Sequence, residues 1–324
     1  MRKAGMRIAR VRRPIEWPTV ALAGTIYGFW GVLTYFHTLF PLWLWIPLGA
    51  WTVAWHASLQ HEIIHGHPTA SRAVNRLVGC WPLLLWLPYE SYRISHLVHH
   101  RDERLTDPLD DPESHYWTQE QWDRLGLLHA LAVRANATFL GRITIGPARS
   151  IYCFVQREAR LVWQGNAMHR RIWAGHALQL AVVLAWLVFA CGLNPLLYFV
   201  AIVYPGTALM LVRSYAEHRA ESEVDERTAI VENAPVLGLL FLYNNLHVVH
   251  HEQPTMPWYQ IPAWYRAHRA RLVRDNGGLV YDGYLDVARR YFLTAHDTLI
   301  HPLGRVPALD AERPETPAPA LAGA

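Results

Sequence analysis

Histidine dominates the chemistry available to this 324-residue chain, which carries 19 of them. Eight fall in three tight groups: His61 and His65 in "HEIIH", His96, His99 and His100 in "HLVHH", and His247, His250 and His251 in "HVVHH". Residues three and four apart share one face of a helix, so each group can aim its imidazoles at a common point. Imidazole suits zinc, copper, iron and nickel, and one zinc takes four ligands at most in a tetrahedral site. Eight ligands therefore call for two metals. His218, in "RSYAEHR", is a further candidate because it follows the last long apolar segment.

Taken alone, His61, Glu62 and His65 also fit the H-E-x-x-H pattern of a zinc metalloprotease, with Glu62 activating water. That alternative leaves the six histidines of the other two groups without a role. A bis-histidine haem carrier needs one histidine from each of two helices, and a metal transporter needs its ligands at the bilayer midplane. His67 stands two residues after His65 and points to another side of a helix, outside the ligand set. The isolated His37, His56, His129, His169, His176 and His296 are read as packing residues.

The elements that position these groups are apolar. The chain is 52% hydrophobic and 17% charged, with 15 Trp and 15 Tyr, a membrane-protein balance. Its mean hydropathy is only slightly positive, so the apolar residues are concentrated in a few segments beside a large aqueous portion. Cys80, Cys153 and Cys191 have no C-x-x-C spacing and give neither a disulfide framework nor a thiolate site. A net charge of +4 does not point to nucleic acid, since the basic residues flank apolar segments.

Residues 1–18 form a basic segment, with Arg2, Lys3, Arg7, Arg10, Arg12 and Arg13, read as a retained cytoplasmic anchor. Apolar runs at 19–40 and 42–59, and again at 172–191 and 195–212, each approach the roughly 20 residues that cross a bilayer core. Tight, uncharged turns join each pair, which predicts two helical hairpins. The arginines all lie on the other side of those turns, so the N-terminus, the stretch 72–171 and everything after Arg213 are expected in the cytoplasm. Shorter apolar pieces at 80–88 and 234–245 are expected as interfacial or re-entrant segments. Residues 303–324 are Pro- and Ala-rich and are expected to be a disordered tail.

With its three histidine groups in this order around two hairpins, plus His218, the chain resembles the membrane-bound fatty acid desaturase family over residues 17–302. The resemblance implies an all-α integral membrane protein with four transmembrane helices in two hairpins. A cytoplasmic helical domain within 19–302 would carry the histidine boxes, and the protein would be multi-pass in the inner (cytoplasmic) membrane, with both termini and the active site cytoplasmic. It also implies a non-haem di-iron oxidoreductase that uses O2 and two electrons to introduce a double bond into a fatty acyl chain. The metal ligands carried over are His61, His65, His96, His99, His100, His218, His247, His250 and His251. A hydroxylase or ketolase of a lipid or carotenoid on the same scaffold is the alternative, because these reactions begin with the same hydrogen abstraction.

The departures from relatives are specific. His247 stands where front-end desaturases have Gln, and Ser214 where acyl-CoA desaturases carry an Asn that helps hold a metal-bound water. No haem-binding "HPGG" is present, so electrons are expected from a separate donor such as a ferredoxin or cytochrome b5-like protein. Asp107, Asp110 and Asp111 in "DERLTDPLDDPES" are candidates to orient ligand imidazoles, as are Asn244 and Asn245 before the third box.

Overall fold

A computed structural model describes residues 15–101 and 104–302. The first 14 residues of the basic segment, the tail 303–324, and Asp102 and Glu103 lie outside the described residues. The helices are α1 (Trp17–Tyr35), α2 (Leu42–Ile64), α3 (Arg72–Gly79), α4 (Tyr89–His99), α5 (Gln119–Asp123), α6 (Leu127–Asn136), α7 (Phe139–Thr144) and α8 (Gly146–Trp163). The second hairpin follows as α9 (Ala167–Ala190) and α10 (Pro195–Tyr215). After it come β1 (Ile230–Glu232), α11 (Pro235–Leu240), α12 (His247–Glu252), α13 (Ile261–Asp275), β2 (Val280–Asp282) and α14 (Gly283–Tyr291).

The expectation of an all-α chain needs one addition, a parallel pairing of β1 with β2 that sets Ile230 opposite Val280 and Val231 opposite Tyr281. These β-branched and aromatic residues suit a strand: Val231 and Tyr281 pack against Val212 and Tyr215 at the end of the second hairpin, and Ile230 against Leu246, Val249 and Leu272 on the other side.

Both hairpins form. α1 ends five residues before the predicted boundary, at Tyr35, and a short 3₁₀ turn over His37–Leu39 leads to Pro41, which opens α2. α2 runs on to Ile64, so His61 lies within it and His65 caps its end. Among the described residues, α9 and α10 are long and apolar enough to cross a membrane, and only 17% and 39% of their apolar windows are buried inside the protein. Leu178, Val182, Phe189, Leu196 and Val200 are exposed on them. A helix from the middle of a soluble core would be covered instead. α1 and α2 have 19 and 23 residues, with Trp, Tyr, Gly and Thr interspersed among the aliphatics.

The two hairpins meet where α10 crosses α2, and small residues permit the approach. A Cβ on Gly206 would overlap Val53 Cγ2 and lie 3.0 Å from Ala50 O, and one on Gly49 would lie 2.5 Å from Ile202 Cδ1. Gly206→Ala is therefore expected to cost about 1–3 kcal/mol, the usual penalty of overpacking. Gly24→Ala, with nothing within 4 Å of its Cβ, should not lower the thermal unfolding midpoint. Equal midpoints for the two variants would contradict the close crossing.

Of the two placements expected for residues 80–88, interfacial or re-entrant, the packing favours an inward one: Leu83, Leu84 and Leu87 are buried in the core between the hairpins, with Leu33, Val53, Leu187 and Tyr198. Tyr198 fixes the segment by donating to Leu83 O at 2.8 Å. The piece 234–245 is mixed, with Val236 and Leu239 exposed but Leu240, Phe241 and Leu242 buried.

Candidate metal centre

The nine histidines reach one region from four places in the chain. α2 supplies His61 and His65, α4 and its C-cap supply His96, His99 and His100, and α12 supplies His247, His250 and His251. His218 follows α10 and is held in a bridge with Thr228. Leu242 and Tyr243, both at positive φ, turn the chain sharply before α12, and the Tyr243 N–H closes the turn on Gly238 O at 2.7 Å.

The structure sorts them into two groups, His61, His65, His96, His100 and His250 in one, and His99, His218, His247 and His251 in the other. Within each group the ligand nitrogens all lie within 4.8 Å of one another. In the first, His65 Nε2 and His100 Nε2 each lie 3.0 Å from His96 Nε2, and His100 Nε2 lies 2.8 Å from His250 Nε2. In the second, His99 Nε2 and His247 Nε2 each lie 3.0 Å from His218 Nε2.

The 3.0 Å approach of His247 Nε2 to His218 Nε2 is not an ordinary hydrogen bond, because the outward nitrogens fix both tautomers. His96 Nδ1–H donates to Glu113 at 3.1 Å, His99 to Asp111 at 2.9 Å, His247 to Asn244 at 3.0 Å and His218 to Arg227 O at 3.2 Å. Carboxylate and carbonyl oxygens can only accept, which places the proton on Nδ1 and, in His218 and His247, leaves two Nε2 lone pairs facing one another. Bare lone pairs about 3 Å apart repel unless a cation lies between them. His61 Nε2 adds a buried nitrogen with no hydrogen-bond partner.

The spacing also bears on which ion fits. At a metal–nitrogen distance of about 2.1 Å, ligands at right angles stand roughly 3.0 Å apart and tetrahedral ones roughly 3.4 Å. The observed 2.8–3.0 Å matches the right-angled case, and five nitrogens exceed the four of a tetrahedral zinc. Both groups thus fit metal ions with imidazole preference, and the five-histidine group offers more ligands than a tetrahedral ion takes.

Burial holds His65, His218, His247 and His250 well below the ordinary histidine pKa and lowers His96 and His100, so these imidazoles are neutral, the form that ligates. His99 differs: burial lowers it, but Glu113 and Asp111 outweigh that and lift it to about 9. Glu113 is raised by burial and pulled below the carboxylate range by His99 and His96. Negative charge is therefore concentrated behind His96 and His99.

Of the candidate orienting residues, Asp111 and Asn244 contact ligand histidines. Asp107 instead builds the turn, accepting from Leu109 N–H at 2.8 Å and Asp110 N–H at 3.0 Å, and Asp110 pairs with Arg104 at 3.1 Å. Asn245 ties the strand by donating to Val231 O at 2.7 Å. Two acids escape the sequence reading. Glu113 takes His96, and Glu217 lies 3.4 Å from His247 Nδ1 while paired with Arg213 at 3.2 Å. The one available signal for Glu217 is its place beside His218. Ser214 lines a cavity of about 40 Å³ with Glu113, Glu217 and His218, room enough for a water.

Neither Glu62 nor His67 joins the two groups. The Glu62 carboxylate accepts from Trp258 N–H at 3.0 Å, and His67 Nδ1–H donates to Glu16 at 2.8 Å. The H-E-x-x-H arrangement of a protease is not assembled, because the glutamate is engaged elsewhere and both of its histidines sit among three others.

A family model described as "Fatty acid desaturase" matches residues 37–283, a span that contains all nine histidines. No curated protein matches the chain.

Proposed function

The chain belongs to the fatty acid desaturase family, and from that premise we propose that it introduces a double bond into a fatty acyl chain at a histidine-ligated di-iron centre. Membership makes it an oxidoreductase of a membrane-associated family. The observation that carries the finer reading is the sorting of nine converging histidines into groups of five and four.

In this reading His61, His65, His96, His100 and His250 hold one iron and His99, His218, His247 and His251 the other. When bound, the two irons with O2 and two electrons supply the oxidising power that removes two hydrogens from an unactivated alkyl chain. The protein's own part is to keep the imidazoles other than His99 neutral by burial, to orient His96, His99, His247 and His218 through Glu113, Asp111, Asn244 and Arg227 O, and to exclude bulk water. With no anionic ligand in either group, the irons would stay strongly electrophilic.

We place four spanning helices at α1, α2, α9 and α10, with the boxes at the cytoplasmic ends and the polar mass beside them. An apolar recess of about 540 Å³ between α1, α9 and residues 77–83, lined by Tyr27, Trp30, Trp81 and Trp186, supports a lipid substrate. On the opposite chemistry, His251 borders a recess of about 370 Å³ with Arg271 and Glu252, a polar approach suited to a separate electron donor. A ferredoxin or cytochrome b5-like protein is the expected class.

The test joins metal analysis to lipid analysis. Purified protein should hold about two irons per chain, as the ligand number requires. Lipids from a host expressing the chain should gain a double bond absent from a host carrying His99→Ala. A new alcohol or ketone would instead assign the hydroxylase or ketolase outcome. One tight zinc with little iron would overturn the di-iron reading.

A further inference from the structure

Glu62 and His67 flank the first box yet take no part in either histidine group, and their actual partners are specific. His67, fully buried, donates through Nδ1 to both oxygens of Glu16 at 2.8 Å, and Glu16 N–H donates to Pro68 O at 3.0 Å. Glu62 Oε1 lies 3.8 Å from His67 Nε2 and accepts from Trp258 N–H at 3.0 Å. Trp258 Nε1–H donates to buried Thr19 Oγ1 at 3.2 Å, and Thr19 in turn reaches Glu16 at 3.4 Å. The circuit closes on itself through three segments: the start of α1, the end of α2, and the stretch after α12. Glu16 and Thr19 lie outside the span that the family model matches.

We infer that Glu62 is a positioning residue for the five-histidine group, acting through this buried clasp. The inference rests on the di-iron reading above. Glu62 follows His61 directly, so fixing its carboxylate on Trp258 sets the rotation of the last turn of α2, from which His61 and His65 project. Trp258 also packs against the cluster that contains Leu59, Ile63 and Leu242, and it stacks on Tyr243 at 6.1 Å. The same residue therefore packs box one against the turns on both sides of α12. Box one feeds only the five-histidine group, so the clasp should govern one metal and not the other.

The carboxylates and His67 lie close enough together to hold a cation themselves. Their atoms are already engaged by the Trp258 N–H and the His67 Nδ1–H, which is why a clasp fits better than a third metal site.

The test is metal titration of purified full-length protein in detergent, with Fe(II) and, for its visible absorption, Co(II). Wild type should take up two equivalents. Glu62→Ala should weaken one equivalent by about 10–100-fold, the usual effect of losing a partner behind a ligand, and leave the other unchanged. Glu62→Gln keeps a carbonyl oxygen for the Trp258 N–H and should restore both equivalents. If Glu62→Ala does not fold, Glu16→Ala, which removes the His67 partner at the edge of the site, should still weaken the same single equivalent. Two unaltered equivalents, or equal weakening of both, in these variants overturns the clasp while the di-iron reading stands. Three wild-type equivalents, one of them lost in Glu16→Ala, also overturn it. A wild type that never takes a second equivalent overturns both readings.

Discussion

His99→Ala and His250→Ala each abolish turnover, but with different metal contents. His99 is one of four nitrogens in its group, and its loss leaves three, one of them from His218 on an irregular segment. That ion should be released, and the chain should retain about one metal of two. His250 is one of five, and its loss leaves His61, His65, His96 and His100, which can still hold an ion in an altered geometry. Metal content should then stay near two while activity disappears. Both variants should still sediment with membranes, since the ligands sit at and beyond the ends of the long helices. Product analysis beside metal analysis of the membrane-extracted protein checks this, and full activity in either variant would remove that residue from the ligand set.

Glu113→Ala is expected to cost about 10–100-fold in metal affinity or activity, whereas Asp110→Ala three residues earlier should cost almost nothing. Glu113 holds His96 Nδ1 at 3.1 Å, and its other oxygen lies 4.0 Å from His99 Nε2, so it serves both histidine groups at once. Removing it frees the ring of His96 and strips part of the charge that raises His99. Asp110 is exposed and, among the described residues, pairs with Arg104, a contact of the kind that contributes little to stability. Asp111→Ala should resemble Glu113→Ala, through His99 and the two backbone N–H groups of Thr106 and Glu113 that the same carboxylate accepts. Side-by-side iron titrations of the three variants check the order, and equal affinities would mean that the loop is only a solvated acidic surface.

The histidine boxes were legible in the sequence because metal ligation leaves a strict local record: imidazoles at i, i+3 and i+4, repeated three times. Their number alone required two ions, and the apolar runs around them marked two hairpins with short turns. The outer carboxylates were only half legible. Asp111 and Asn244 stood near boxes and were candidates, but Asp107 and Asp110 in the same stretch were equally plausible. An irregular loop has no periodicity from which to read where each side chain points.

What the tertiary structure alone decided was the partition. "HLVHH" and "HVVHH" have identical spacing, yet box two gives His96 and His100 to the five-membered group and His99 to the other, while box three gives His250 to the first group and His247 and His251 to the second. At roughly 100° per residue, i and i+4 lie about 40° apart and i+3 lies about 100° from i+4, so each box must split two against one. Spacing along a helix states that split, but which ion each part faces depends on how α2, α4 and α12 are rotated against one another. That rotation is set by contacts between distant segments, such as Gly206 on Ala50 and Trp258 on Glu62, which no local stretch of sequence contains.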